Sequence, residues 1–532
     1  MINSTFDQTL LKFEMNKPPN ILVFLVDQMP YDVVVPEHPC HMPNARRLAE
    51  EGISFSRAFT CSPHCCPSRA TLMTGLYPSR HGVFNNVDTN TAFQRGLNPG
   101  VRTFSEYLKE AGYRLAYAGK WHVSNEETPA NRGWQELTKY QKNILSRRNE
   151  DWDRVVQQPE PPDHPRQRGE VFRPGWGSTY VIGKKISGPD SYTKASWYQR
   201  AILPGVRAIP ELAKQDQPWM LCISTDMDPS TPVPADIADL YNPKDVSLPA
   251  SYGDMMHDKP RVYQRMRFQI WGQLTADEVR ESIAHYWALC TLQDRYLGEI
   301  LSALASTGQA DNTLVVFLAD HGDYLFAHGL RCLGIPSFRE VYNIPVIMRW
   351  PRGIVNPGRN LNAFISLADF APTFLELAGC VSEDRLTGRS MMPFLQDETP
   401  ADWCDAWYSQ TKGNEVYYTQ RIVQTERWKY VCNWFDFDEL YDLEADPHEM
   451  TNLAFPIEIP SSPGKLIPQT TSQSFTPWPP LPSHLESVRR ELLGMMWRFA
   501  RRENDIIFNA YPPVALAPYG PVVGLRVGTN TE

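Results

Sequence analysis

Two stretches of the chain are apolar at nearly every position and then stop on polar side chains: NILVFLVDQ (Asn20 to Gln28) and LVVFLADHGD (Leu314 to Asp323). A run without polar alternation reads as a strand covered on both faces, as in a parallel sheet. Two such strands that end on acidic residues point to one cleft at the carboxyl edge of that sheet. RLAYAGKWH, WMLCIS and VIMRW read as further strands. Helical spacing lies between them. MPNARRLAEEG closes on Gly52 as a C-cap, TFSEYLKEAG opens with the capping box Thr103-x-x-Glu106 and closes on Gly112, and LADFAPTFLELAG ends near Gly379. Alternation of strand and helix makes the fold class α/β.

From about Asp402 the texture changes to short strand-like pieces, EVYYTQRIVQTERWKYVCNW and ELYDLEADPHE, which predict a smaller, largely antiparallel unit. The division expected is a catalytic unit over 18–400 and a C-terminal subdomain over 401–532. Phe455 to Pro482 is rich in Pro and Ser and reads as an extended arm. The amphipathic stretch HLESVRRELLGMMWRFARR follows, its apolar face near Leu492 suited to core packing or, more sharply, to a subunit interface. A homo-oligomer is therefore one expectation. The segment from about Asn131 to Lys214 reads as an insertion of loops and short helices.

At 532 residues the chain exceeds the size at which one core stops growing, which favours two packed units. The balance of 52 basic against 61 acidic side chains, without a long basic run, argues against a nucleic-acid partner. No apolar run is long enough to span a bilayer, and the first residues lack an apolar core of secretory length, so the expectation is a cytoplasmic protein without a membrane partner. Ten cysteines in such a chain read as mostly free, buried thiols.

Three of those cysteines crowd into CSPHCCPSRATLMTG (Cys61 to Gly75). Pro67 suits the first turn of a helix, which puts Cys65 and Cys66 at a helix N-terminus, where free N–H groups stabilise negative charge. Arg69 adds a cation one turn in. Cys65-x-Pro67-Ser68-Arg69, continued by Ala-Thr-Leu-Met-Thr-Gly, resembles the signature of the sulfatase family, in which the first Cys is oxidised to formylglycine after translation. AGYRLAYAGKWH (Ala111 to His122) looks like the family's second signature, with Lys120 and His122 at its catalytic positions. The ends of the two apolar strands match its metal-binding segments, and ELYDLEADPHEMTNLA is similar to its C-terminal block. The D-Q and D-H pairs look like the choline-sulfatase and phosphonate-monoester-hydrolase branch.

The resemblance implies an alkaline-phosphatase-like fold, a large mixed, mostly parallel sheet flanked by helices with a smaller C-terminal α+β part. It implies hydrolysis of sulfate esters, with phosphonate monoesters or phosphodiesters as the alternative substrates and a non-catalytic binder of anionic esters as a more distant one. Asp27, Gln28, Asp320 and His321 would bind one divalent cation; the oxygen ligands suit calcium and the imidazole tilts toward manganese. A formylglycine-generating enzyme would be the maturation partner and a small anionic ester the substrate. One oxygen of hydrated formylglycine would attack sulfur, Lys120 would bridge nucleophile and sulfate, and His122 would take the proton that lets sulfate leave.

Two positions depart from the family. Ser230 stands in Pro229-Ser230-Thr231-Pro232 where relatives have His, and Leu333 stands in HGLRCLGIP where they have Lys. Both family residues serve the sulfate and the leaving oxygen. Their loss leaves three outcomes: a leaving group acidic enough to depart unaided, a replacement donor such as His328 or His81, or a weakened enzyme. Asn85 sits where related hydrolases place a substrate-contacting Asn, so Asn85 and His328 complete the expected substrate-binding set. Asp323 reads as a supporting carboxylate rather than a ligand.

Overall fold

The structure, a computed structural model, describes residues 18–89, 91–139, 164–173, 177–194, 197–414, 416–434, 436–455 and 481–507. Its largest sheet has eight strands: β1 (Asn20–Val26), β2 (Ile53–Phe55), β3 (Arg114–Gly119), β4 (Gln135–Glu136), β5 (Trp219–Ser224), β6 (Thr313–Ala319), β7 (Val346–Arg349) and β8 (Arg359–Leu361). Their order is β8-β2-β7-β6-β1-β5-β3-β4. Only β7 runs against the others. The expected mixed, mostly parallel sheet is what forms. Every residue of β1 and β6 is buried, which is why neither strand alternates in sequence.

Helices cover the sheet. The ones that matter below are α1 (Pro43–Glu50), α2 (Cys65–Thr74), α3 (Phe104–Glu110), α4 (Ala276–Ser306), α5 (Phe370–Leu377) and α6 (Ser483–Arg502). The capping box of α3 forms as read, Thr103 with Glu106, and Gly112 follows at φ +89°. Gly52 is a correction. Glu51, not Gly52, caps α1, and a Cβ on Gly52 would lie 2.1 Å from the Met348 carbonyl oxygen. The glycine is there so that β2 can approach β7.

Helix α4, the longest described at 31 residues, is not among the elements expected from sequence. Its middle is buried on all sides from Ile283 to Asp294, so the 3.6-residue stripe that marks an amphipathic helix is absent. A signal was available at its start, where Thr275 and Glu278 form a capping box.

The C-terminal strands β9 (Trp407–Thr411), β10 (Gln420–Gln424), β11 (Trp428–Asn433) and β12 (Glu439–Asp442) pair in sequence order as an antiparallel sheet. Alternation along them serves two cores. Ile422 and Val431 join the core of the large sheet, while Val423, Tyr430 and Leu440 pack against Leu492, Leu493 and Met496 of α6. The apolar face of α6 is thus used within the chain. Arg421, buried, makes a two-pronged pair with Asp505 just past the helix, at 2.5 and 2.9 Å.

The proposed insertion holds short helices, Ser191–Lys194 and Leu203–Ala213, and also a hairpin that was not read, Glu170–Arg173 with Gly177–Tyr180. The Pro/Ser-rich arm lies, but for its two ends, outside the described residues. All ten cysteines are free, and among the described residues no helix is long and apolar enough to cross a membrane.

Candidate active site

Four neighbouring strands, β6, β1, β5 and β3, run parallel and end at the same edge. Val26 of β1 is in register with Ala319 of β6, and Leu25 of β1 and Gly119 of β3 both with Ser224 of β5. The residues at and just past these strand ends therefore meet: Asp27 and Gln28, Asp320 and His321, Ser224 and Asp226, Lys120 and His122. Gly119 permits the last of these approaches. It has φ +97°, and a Cβ there would strike the Ser224 carbonyl oxygen at 1.9 Å, the same oxygen that accepts from Lys120 N at 3.0 Å.

Helix α2 brings Cys65 over this edge. His64 precedes it in extended conformation, all ten helix residues are buried, and Gly75 ends it at φ +69°. Arg69, one turn in, is fully buried and is spent on protein groups. Its Nε donates to Asp320 Oδ2 (2.7 Å), Nη2 to Asp27 Oδ2 (3.1 Å), and Nη1 to Ser224 Oγ (2.8 Å) and the Lys120 carbonyl (2.9 Å). A guanidinium has five N–H donors, and four are engaged here. Arg69 organises the two carboxylates and adds charge, with little left to hold a ligand directly.

One ligand atom each from Asp27, Cys65, Asp320 and His321 lie within 4.8 Å of one another, all buried. Their chemistry fits a divalent cation. His321 donates Nδ1–H to the Gly322 carbonyl at 2.8 Å, which leaves the Nε2 lone pair turned to the cluster, 3.2 Å from Cys65 Sγ. Burial alone would raise the Asp27 carboxyl, but Lys120 and Arg69 hold it well below the usual carboxylate range. Asp320 Oδ1 accepts from the backbone N–H groups of Gln28 and His321 at 3.0 and 2.9 Å. The Gln28 amide nitrogen donates to Asp323 Oδ2, so its carbonyl oxygen takes the opposite side. Asp323 is pinned in turn by Arg331 and by the N–H groups of Leu325 and Cys332, the supporting role expected of it. Gln28 and His122 both hold positive φ, +58° and +54°; strained backbone of this kind gathers at functional sites.

Lys120 Nζ lies 2.7 Å from Asp27 Oδ2, 3.7 Å from Cys65 Sγ and 3.5 Å from Asp226 Oδ2. It spans a carboxylate of the cation cluster and the nucleophile position. His122 Nε2 lies 3.3 Å from Asp88 Oδ1. Burial, then Asp27, pushes the Cys65 thiol well above its ordinary value. Asp226 and Asp88 were not singled out from sequence. Asp226 could have been, since WMLCISTD ends on an acid as the strands of Asp27 and Asp320 do. Nothing in the sequence marks Asp88, which arrives through the loop after α2.

Other expected residues go elsewhere. The Asn85 amide bridges its own loop, donating to the Thr91 carbonyl (2.8 Å) and accepting from Phe93 N (3.2 Å). Its neighbour Asn86 accepts from the N–H of Cys66 at the start of α2. His328 stacks on Phe338, centroids 3.5 Å apart, with Nδ1 2.7 Å from Asp254. His81 is fully buried, bonded to Thr71 Oγ1 and accepting from Val83 N. His81 is thus engaged at both ring nitrogens, and His328 at Nδ1 alone, its buried Nε2 having no hydrogen-bond partner among the described residues. Ser230 is exposed and bonded to Asp228, and Leu333 packs against the core. Cys61 bonds to Thr71, its thiol pushed up to about 12 by burial.

A family model described as Sulfatase matches residues 19–380, and one described as N-sulphoglucosamine sulphohydrolase, C-terminal, matches 336–461. The chain belongs to the sulfatase family. It is accordingly a sulfuric ester hydrolase. It is 28% identical over 467 residues to choline-sulfatase of Rhizobium meliloti, covering 82% of each chain. It is 27% identical over 454 residues to the uncharacterized sulfatase YidJ of Escherichia coli, covering 82% of this chain and 83% of that one. Among solved structures, the phosphonate monoester hydrolase of Silicibacter pomeroyi matches with TM-score 0.68 at 21% identity, over 91% of this chain and 96% of that one. The sulfatase fold thus extends through the C-terminal sheet.

Proposed function

We propose that this sulfatase acts through formylglycine at residue 65 on small sulfate esters whose released alcohol is acidic, aryl sulfates above all. The observation that carries the reading is the convergence of Cys65, Asp27, Asp320 and His321 within 4.8 Å, with Lys120 Nζ 3.7 Å from Sγ. Asp27, Gln28, Asp320 and His321 would hold one divalent cation, calcium on the count of oxygen donors and manganese on the imidazole. When bound, it supplies a Lewis acid beside the nucleophile.

The chain's own residues divide the remaining work. Arg69 keeps Asp27 and Asp320 ionised and aimed. Lys120 orients the nucleophile and offsets charge that gathers on the sulfuryl oxygens. His122, facing Asp88, takes the proton whose removal frees sulfate. No general acid is assigned to the leaving oxygen: Ser230 and Leu333 occupy the family positions, Thr71 and Val83 take both ring nitrogens of His81, and Asp254 and the Phe338 ring hold His328 in place. That is why the ester must be an activated one.

Peptide mass analysis across Cys61 to Arg69 tests the modification, and rates on aryl sulfates of graded phenol acidity test the substrate class. Steep dependence on phenol acidity and loss of turnover in Cys65→Ala are expected. An unmodified thiol in fully active protein, or a flat dependence, overturns the reading. A phosphonate monoester preference is the second reading, favoured by the Asp27-Gln28 and Asp320-His321 pairs; a phenyl phosphonate ester rate above the aryl sulfate rate would establish it. The cytoplasm and a homo-oligomer complete the proposal.

A further inference from the structure

Beside the nucleophile stands a second group of ligand-bearing side chains that the proposed mechanism uses only in part. Cys66, Asp88 and His122 each place one ligand atom within 4.8 Å of the others. Cys66 and His122 are both more than nine-tenths buried. Neither ring nitrogen of His122 makes a well-aligned hydrogen bond among the described residues; the Asp88 carboxylate oxygen stands 3.3 Å from Nε2. Cys66 Sγ accepts a hydrogen bond from Val87 N at 3.4 Å. A sulfur, an imidazole and a carboxylate so placed are the donor types that select zinc-like ions. The cluster of Asp27, Asp320, His321 and Gln28 is oxygen-rich by comparison and suits a harder ion.

We infer that Cys66, Asp88 and His122 form a second metal site, for a thiophilic divalent cation such as zinc, whose occupation stops the enzyme by taking His122 out of use. Three ligand atoms around one tetrahedral ion are about 3.5 Å apart, a separation that small side-chain rotations reach from the present spread. Binding replaces the Cys66 thiol proton, which leaves to solvent, with a sulfur–metal bond. The imidazole lone pair given to the ion is the one needed to accept a proton. Asp88, its side chain 27% exposed, leaves an approach from solvent. The inhibitory half rests on the role proposed for His122; the binding half does not.

The test uses the full chain and the metal ion alone as probe. Cobalt(II) added to Cys65→Ala, which removes the neighbouring thiol, should give a thiolate-to-cobalt charge-transfer band. The band should vanish in Cys65→Ala/Cys66→Ser and in Cys65→Ala/Cys66→Ala. No band, or a band surviving in both double variants, overturns the site, and this result is read without any turnover. In the second arm, zinc should depress aryl sulfate hydrolysis by the parent at least tenfold at a concentration that leaves Cys66→Ser at its zinc-free rate. Equal inhibition of the two overturns the inhibitory half, whereas absence of hydrolysis in both without zinc would count against the proposed function and leave the cobalt result standing.

Discussion

The Arg69 guanidinium donates to Asp320 at 2.7 Å from the interior of a helix, and the same side chain reaches Asp27, the Ser224 hydroxyl and the Lys120 backbone. One cation thereby ties the ends of four strands to the helix that carries the nucleophile. Lys at this position could not make the planar, branched set of bonds. Arg69→Lys should lower metal content and kcat/KM by about 10- to 100-fold with the fold retained. Elemental analysis and circular dichroism on the same sample decide it; full metal content with normal rates would contradict the role.

His122 acts, on the reading above, after the alcohol has left. His122→Ala should therefore release about one equivalent of phenol per site in a burst and then turn over about 10²- to 10⁴-fold more slowly. Stopped-flow detection of the phenol separates the two phases. A uniformly slow first turnover would move His122 to an earlier step.

His81 gives a pH-dependent stability with a definite sign. Burial lowers its pKa from 6.5 to about 3, so the unfolded chain takes up the proton first and stability falls as pH drops below about 6.5. Between pH 7 and 5 the loss from this group is about 2 kcal/mol. Asp369 and Asp438, raised to about 6 by burial, act in the opposite direction near pH 4 to 6, but equally in parent and variant. Melting of His81→Asn at pH 7 and pH 5 should thus show a smaller pH difference than the parent.

Leu492, on the buried face of α6, should cost about 2–5 kcal/mol when cut to Ala. Denaturant melts at two protein concentrations check this. A loss that depends on concentration would mean that the face serves subunit contact rather than the core of one chain.

Much of the sheet was legible because burial on both faces writes itself as unbroken apolar runs in β1 and β6. The polar residues that follow those runs gave the carboxylates of the site. Helix α4 was not legible, for the same reason in reverse: total burial erases the stripe by which a helix is recognised. Asn85 was placed by similarity of position and His328 as a substitute donor, and neither ground says what already holds the group: the Asn85 amide is tied on both sides and His328 is held at Nδ1. Asp88 depends on where a loop returns, which local sequence does not encode, whereas Asp226, just past the end of β5, carried the same signal as Asp27 and Asp320.

The edge formed by β6, β1, β5 and β3 has a further consequence. Neighbouring strands are held about 4.8 Å apart by backbone bonding that every sequence shares. The charged groups inherit that spacing without help from the loops beyond them. The loops that carry Ser230 and Leu333 can therefore change while the apparatus that handles the sulfuryl group stays where the backbone puts it.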